Sequence, residues 1–349
     1  MLLEAGGMTL VTLAEVARRA KVTGATVSNV LRNPQKVKPE TVERVMAAIR
    51  ELGYRPNLTA RALARGRTST LALMLSNISN PFYPEFVLAA EREARKRGYF
   101  LLVCNTDDDP AITRAYLDEI AGSLASGVIV MNTDLGESEL TEIAGKGVAL
   151  VLCMWEHVQA SLALPCVTID FAAAGALAAT HLSGLGHRAF GALVGAGSGG
   201  PQTIRLGGFA TALAQRGHAD TSLVVVEAHD SIESGYEAAI GLLRGAPALT
   251  SIFATNDLMA IGAIQAATDL GRRVPEDLSV IGVTDIALAH QFRPALTTVR
   301  LPTAEIAARS IALTVEMIEG GAPVQERYIV PGPELVVRES TGRAPLRRS

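Results

Sequence analysis

The sequence predicts two structural classes in one chain: a small all-helical head, then an α/β body of two lobes built on parallel sheets. Three observations carry that expectation. Residues 12–52 hold apolar positions at helical spacing with capping residues between them. From Leu71 onward, continuous apolar runs of strand length alternate with helical stretches, as strands covered on both faces require. The formal charge of −3 is also unevenly divided. Residues 8–67 carry twelve Lys/Arg against four Asp/Glu, or +8, which leaves twenty against thirty-one, or −11, elsewhere. A basic head on an acidic body points to a polyanionic partner for the head.

At 349 residues the chain is long enough for two or three domains with large cores. Cys104, Cys153 and Cys166 each fall in an apolar run; their spacing suits no metal site, and an odd count does not make a disulfide framework, so buried thiols are expected. The first ten residues, MLLEAGGMTL, show no basic-then-apolar leader, and the organised sequence begins at Met8, the expected start. No apolar run reaches the roughly 18 residues that a membrane span needs. A cytoplasmic protein is expected.

In the head, Thr12-x-x-Glu15 is a capping box, followed by Leu13, Val16 and Ala17 at helical spacing. Ala20-Lys21-Val22 turns the chain, and Thr23 caps a second helix to about Leu31, with Val27, Val30 and Leu31 inward. Pro34 stops it. Pro39 and Glu40 open a third helix that turns Val42, Val45, Met46, Ile49 and Leu52 inward and ends at Gly53. Two short helices joined by a tight turn, braced by a third, form a helix-turn-helix.

The segment TLAEVARRAKVTGATVSNVLRNPQKVKPETVERVMAAIRELGYRPN resembles the DNA-binding head of the lactose-repressor (LacI/GalR) family of bacterial transcription regulators. The runs ATVSNVL and ETVERVMAAIRELGYRPN are the most specific, and a looser likeness continues to Arg343. The resemblance implies that Gly24, Ala25 and Asn29 reach base edges in the major groove, with Thr23, Thr26 and Ser28 toward phosphates and Thr12 also among the DNA-binding residues. Small residues at a helix start allow that approach. Asn29 stands where the family most often has Arg, and Asn suits adenine where Arg suits guanine.

Asn57 can cap a short helix, LTARALAR, before GRTST breaks it. Isolated helices below about 12–15 residues are marginal in water, so this segment should order on DNA. By resemblance, paired hinge helices of a dimer open the minor groove and Leu63 wedges between base pairs, with Arg61, Arg65 and Arg67 near the backbone and Asn57 also a DNA-binding residue.

The body reads as two sets of strands, LALMLS, YFLLVCN, GVIVMN, ALVLCM and Val167–Ile169, then FGALVG, SLVVVE, SIFAT and LSVIGV. Two sets imply two lobes with a cleft beyond the carboxyl ends of the strands. The resemblance implies a periplasmic-binding-protein-like body with three crossings between lobes, near Thr168, Leu296 and Ile329. The expected domains are a head at 8–56, a hinge at 57–69 and a body at 70–349. Within the body, one lobe takes 70–168 and 297–328, and the other takes 169–296 and 329–342.

Effector contacts carried over from the resemblance are Phe82 and Tyr83, the single tryptophan Trp155, Arg205, Asp230, Asn256, Asp257, Thr284 and Asp285. Sugar-binding members usually carry aspartates where this chain has Met154 and Thr284. Losing both while keeping Arg205 favours an anionic ligand such as a sugar acid, because a carboxylate pairs well with Arg. A rival reading rests on Gly195, Gly197 and Gly200, which satisfy the dinucleotide fingerprint G-x-G-x-x-G after an apolar strand. Against it, the match does not open a domain, and no acidic strand end follows about 20 residues on. The six histidines are scattered, with no catalytic or metal set, and His187 sits in a turn that reads as structural. The expectation is a non-enzymatic homodimer with no cofactor and no metal. Its partners would be double-stranded operator DNA and a sugar or sugar acid, without a membrane. The last residues, TGRAPLRRS, hold no heptads for a coiled-coil tetramer.

Overall fold

The structure, a computed structural model, describes residues 11–54, 68–131, 135–154, 164–195, 201–218, 223–321 and 327–345. The chain divides into two units between Thr68 and Ser69. Asn57, Arg61, Leu63, Trp155, Gly197 and Gly200 lie outside the described residues.

The head unit holds α1 (Leu13–Ala20), α2 (Gly24–Arg32), a 3-10 turn (Pro34–Lys36) and α3 (Pro39–Leu52). Its capping box is formed: Glu15 Oε2 accepts from the Thr12 amide at 2.7 Å, and the Glu15 amide donates back to Thr12 Oγ1. Lys21 ends α1 in the left-handed region, and the Thr23 hydroxyl caps α2 by accepting from the Thr26 amide at 3.2 Å. Gly53 closes α3, also left-handed. Val16, Ala17, Ala20, Val27, Val30, Val45 and Ala48 make the core. Met46, expected inward, is 38% exposed. Ala48 is buried instead, because the row of Val45 and Ala48, three residues apart, faces the other two helices and leaves Met46 at the edge of the stripe.

The body unit contains two sheets of six strands among the described residues. The first is ordered β11-β5-β4-β3-β1-β2 and wholly parallel. Its strands are β1 (Thr70–Leu75), β2 (Phe100–Asn105), β3 (Gly127–Met131), β4 (Ala149–Cys153), β5 (Cys166–Thr168) and β11 (Arg327–Ile329). It is covered by α4 (Phe82–Lys96), α5 (Pro110–Glu119), α6 (Glu137–Gly145) and α12 (Thr303–Ile318).

The second sheet is ordered β12-β10-β9-β8-β6-β7, and only β12 runs antiparallel, on β10. Its strands are β6 (Phe190–Gly195), β7 (Val224–Ala228), β8 (Ser251–Ala254), β9 (Ser279–Thr284), β10 (Thr297–Arg300) and β12 (Glu334–Val336). The helices α7 (Phe171–Gly184), α8 (Pro201–Leu213), α9 (Ile232–Gly245), α10 (Asp257–Asp269) and the short α11 (Ala287–Gln291) belong to this lobe. One crossing is corrected. The chain was expected to leave this lobe near Leu296, but β10 pairs with β9 through Thr297–Arg300, so the crossing falls at Leu301–Pro302. A strand of four residues could not be told from a linker before its partners were known.

The three cysteines are buried thiols outside any disulfide, in β2, β4 and β5. His187 is buried as a structural anchor, bonded to Thr250, Ser279 and the Gly342 carbonyl at 2.9–3.1 Å. Close packing of α7 on α8 depends on Gly175: a Cβ there would lie 1.8 Å from the Arg205 carbonyl oxygen. Only glycine admits that approach, and the approach sets where Arg205 emerges from α8.

Candidate effector cavity and DNA-contacting helix

In α2, Ala25 and Asn29 are both exposed. Four residues apart, they share one face of the helix. Thr23 is exposed beside them and bonds the Thr26 hydroxyl at 3.0 Å. Gly24 is partly turned away, since a Cβ on it would meet the Leu13 side chain at 3.0 Å; it serves the packing of α2 on α1 as well as the open face.

In the body, a cavity is lined by Asn80, Phe82, Tyr83, Met131 and Met154 from the first lobe. Gln202, Arg205, Asp230, Asn256, Asp257, Leu258, Thr284 and Ile286 line it from the second. Seven of the nine sequence-derived effector candidates meet here. Trp155 follows the lining residue Met154 but is outside the described residues. Asp285 is the exception. Its carboxylate receives Arg300 at 2.7 Å and Arg338 at 2.5 Å, and it does not line the cavity. Adjacent strand-end residues point to opposite sides, so with Thr284 in the cavity its neighbour turned to the arginines.

The polar groups of the second-lobe wall are braced by hydrogen bonds within their own lobe. Arg205, 4% exposed, gives Nη1 to the Thr255 carbonyl at 2.7 Å, and its guanidinium lies 5.2 Å from the Phe171 ring centre. Asp230 accepts from Gln202 Nε2 at 2.6 and 2.7 Å and from Asn256 Nδ2 at 2.8 Å. It sits exposed at the rim, yet protein crowded around its carboxyl raises its pKa, against the opposing pull of Gln202, Arg205 and Asn256. Asn256 also caps α10 by accepting from the Met259 amide.

Asp257 is fully buried and accepts from Thr298, from Thr284 and from the Ile286 amide at 2.5–3.1 Å. Burial pushes its carboxyl up to about 6 despite those bonds. It is chiefly an anchor for the strand ends that form the wall. The first-lobe wall is largely apolar. Phe82 and Tyr83 meet edge to face at 5.4 Å, and Tyr83 ties its hydroxyl to Ser76 at 2.6 Å.

Gln202 escaped the sequence reading. It stands at the start of α8, just past the glycine-rich loop, and its Oε1 accepts from the Gly195 amide at 3.0 Å and from the Thr255 hydroxyl. Its position beyond a strand's carboxyl end was the available signal. The same bond bears on the dinucleotide reading, because the Gly195 amide is spent on Gln202 and Thr255 where a fingerprint loop would face phosphate. Among the described residues no group of three or more His, Cys, Asp or Glu could hold a metal, and no helix is long and apolar enough to cross a membrane.

Comparison with known proteins places these features. The pattern for "Bacterial regulatory proteins, lacI family" matches residues 12–57, and that for "Periplasmic binding protein-like domain" matches residues 179–341. The HTH-type transcriptional regulator DegA of Bacillus subtilis is 36% identical over 334 residues, covering 95% of this chain and 98% of that relative. The chain belongs to the lacI family of bacterial regulatory proteins. Within the family, the ribose operon repressor of Halalkalibacterium halodurans is 34% identical, covering 95% of this chain and 97% of its own. A crystal structure of the lac repressor dimer bound to operator and the anti-inducer ONPF superposes with a TM-score of 0.84 at 25% identity. It covers 95% of this chain and 99% of that one. The head and the two-lobed body of parallel sheets are those of this family, and these relatives are regulators of transcription.

Proposed function

We propose that the protein is a non-catalytic repressor that binds a near-palindromic operator as a homodimer and answers to a sugar or sugar acid held in the body cavity. The observation that carries this reading is the exposed pair Ala25 and Asn29 on a capped α2, in a chain that also encloses a cavity around Arg205. The proposed domains are the head (8–56), the hinge (57–69) and the body (70–349), with its inner boundary moved to Leu301.

Pairing is supported by apolar side chains left in solvent near the β2 edge of the first sheet. Phe100 is 66% exposed, and Leu88, Val103, Ile78 and Ile112 are also open. The likeness to an operator-bound dimer supports the same assembly. Site work would sit in the cytoplasm, where the DNA is, and the reading calls on no cofactor. In the head, Thr12, Thr23, Gly24, Ala25, Thr26, Ser28 and Asn29 are the proposed contacts, joined by Asn57, Arg61 and Leu63 of the hinge. In the cavity they are Phe82, Tyr83, Gln202, Arg205, Asp230, Asn256 and Thr284, with Trp155.

The ligand must satisfy both walls. Arg205 favours an acid, but Asp230, which lies within its field, and the anchored Asp257 put two carboxylates into the same lining. Hydroxyls satisfy the polar wall whether or not a carboxylate accompanies them. A mobility-shift assay with the full chain and the intergenic DNA beside its own gene, with and without matched sugars and sugar acids, tests the reading. Specific binding that a sugar or its acid changes is expected. Affinity should fall roughly 10³–10⁵ between 50 and 200 mM salt if six to ten phosphates are contacted. The absence of specific binding under every condition would overturn it.

A further inference from the structure

The segment Thr284–Ala287 is gripped from three directions. Its backbone is strained: Thr284, a β-branched residue, has φ 127°, and Asp285 has φ 63°. Such conformations persist only where surroundings enforce them, and they gather at clamps and switches. From beneath, Asp257 accepts from the Thr284 hydroxyl and the Ile286 amide. From the side, Asp285 is held by Arg300, the last residue of β10 before the crossing at Leu301, and by Arg338, two residues past β12. From across the cavity, Glu85 of α4 accepts from the Ala287 amide at 2.8 Å.

Glu85 and Ala287 belong to opposite lobes, and each lies close to the cavity lining: Phe82 and Tyr83 precede Glu85, and Thr284 and Ile286 precede Ala287. Phe82 packs against apolar clusters of both lobes. We infer that Glu85 is an interlobe latch, whose bond to the Ala287 amide holds the lobes closed over the cavity and ties closure to the strained segment beside two crossing strands. Separation of the lobes breaks this bond, so the bond favours the closed arrangement. A ligand that contacts Thr284 and a latch that holds Ala287 thereby act on one short piece of backbone. Through Asp285, that piece is fastened to Arg300, beside the crossing at Leu301, and to Arg338, just past the strand that follows the last crossing. The latch deepens the effector-cavity reading, but its test needs neither DNA nor a known effector.

Hydrogen exchange read by mass spectrometry on the full ligand-free chain tests the latch. A bond from an amide to a carboxylate in a solvated setting contributes enough that Glu85→Ala should raise opening about threefold to tenfold. Exchange should quicken by that factor in peptides from both walls, residues 80–86 and 254–259, as well as at 284–291. Glu85→Gln keeps an oxygen acceptor and should stay near wild type. Glu91→Ala, which removes the exposed partner of Arg95 on the same helix, should leave both walls unchanged. Faster exchange confined to 284–291 would reduce Glu85 to a local cap and overturn the proposal. A Glu85→Gln variant matching Glu85→Ala would also overturn it, because charge near the start of α4 would then be the whole effect. If DNA binding failed while both walls still responded, the latch would stand and the functional reading would fall.

Discussion

The two lobes of the body share one plan and differ in the wall each gives to the cavity. Both set six strands in a largely parallel sheet among the described residues, and both deliver cavity residues from strand ends and the helices that follow. The first lobe supplies Phe82, Tyr83, Met131 and Met154, while the second supplies Gln202, Arg205, Asp230, Asn256, Asp257 and Thr284. The shared fold thus settles where a ligand can sit, and residues at the strand ends settle what each side offers it. An apolar wall facing a polar one also lowers the local dielectric, which strengthens every hydrogen bond on the polar side.

The largest expected effect sharpens the polar wall. Asp257 is raised from 3.8 to about 6 by burial, against bonds from Thr298, the Ile286 amide and Thr284. Between those values the unfolded chain has released its proton and the folded chain has not. The contribution of Asp257 to stability therefore falls as pH rises from 3.8 to about 6 and stays lost above. His187 in the same lobe is lowered from 6.5 to about 4, chiefly by burial. Its contribution is present above pH 6.5 and lost as pH falls toward 4, so the two slopes oppose each other. Asp257→Asn removes one slope and should gain on the order of 3 kcal/mol relative to wild type between pH 4 and pH 7. Urea unfolding at several pH values measures this, and a pH-independent difference would break the assignment.

Next in size is a change to the apolar wall. Met154 is buried in the left-handed region at φ 54°, a conformation that Asp adopts more readily than most residues. Met154→Asp should raise affinity for neutral sugars about tenfold by adding a charged acceptor, and should lower it for the matching acids. Calorimetry with both series checks this, and an unchanged ranking would mean that the first-lobe wall does not choose the ligand. The smallest effect is expected from Met131→Leu, a swap of similar volume on that wall. It should cost less than about 1.5 kcal/mol in unfolding and leave ligand ranking unaltered. A larger loss would show that this wall is as exacting as the polar one.

Much of this was legible in the chain because it is local. A hydroxyl at Thr12 three residues before Glu15, a Pro at the start of α3 and Gly53 at its end act within a turn or two of backbone, and the caps formed where expected. Nine of the twelve described strands, β1 to β9, announced themselves as apolar runs, since burial on both faces leaves no polar alternation to confuse the period. The other three, β10, β11 and β12, of three or four residues, were too short to read. Met46 misled for the opposite reason: its spacing fitted the apolar face of α3, but the width of a stripe depends on what packs against it.

By itself, then, the sequence determined the helical head, the α/β body, the division of charge between them and nine effector candidates of which seven line the cavity, through short-range spacing, strand-end position and family resemblance. Only the tertiary structure decided that β10 stays with the second sheet and that Gln202 spans from Gly195 to Asp230. It alone also turned Asp285 to Arg300 and Arg338 and brought Glu85 to Ala287. Each of those depends on partners far apart in the chain, from Gly195 to Asp230 and from Glu85 to Ala287. No residue's own type or spacing carries that information; it exists once the sheets have placed the strand ends side by side.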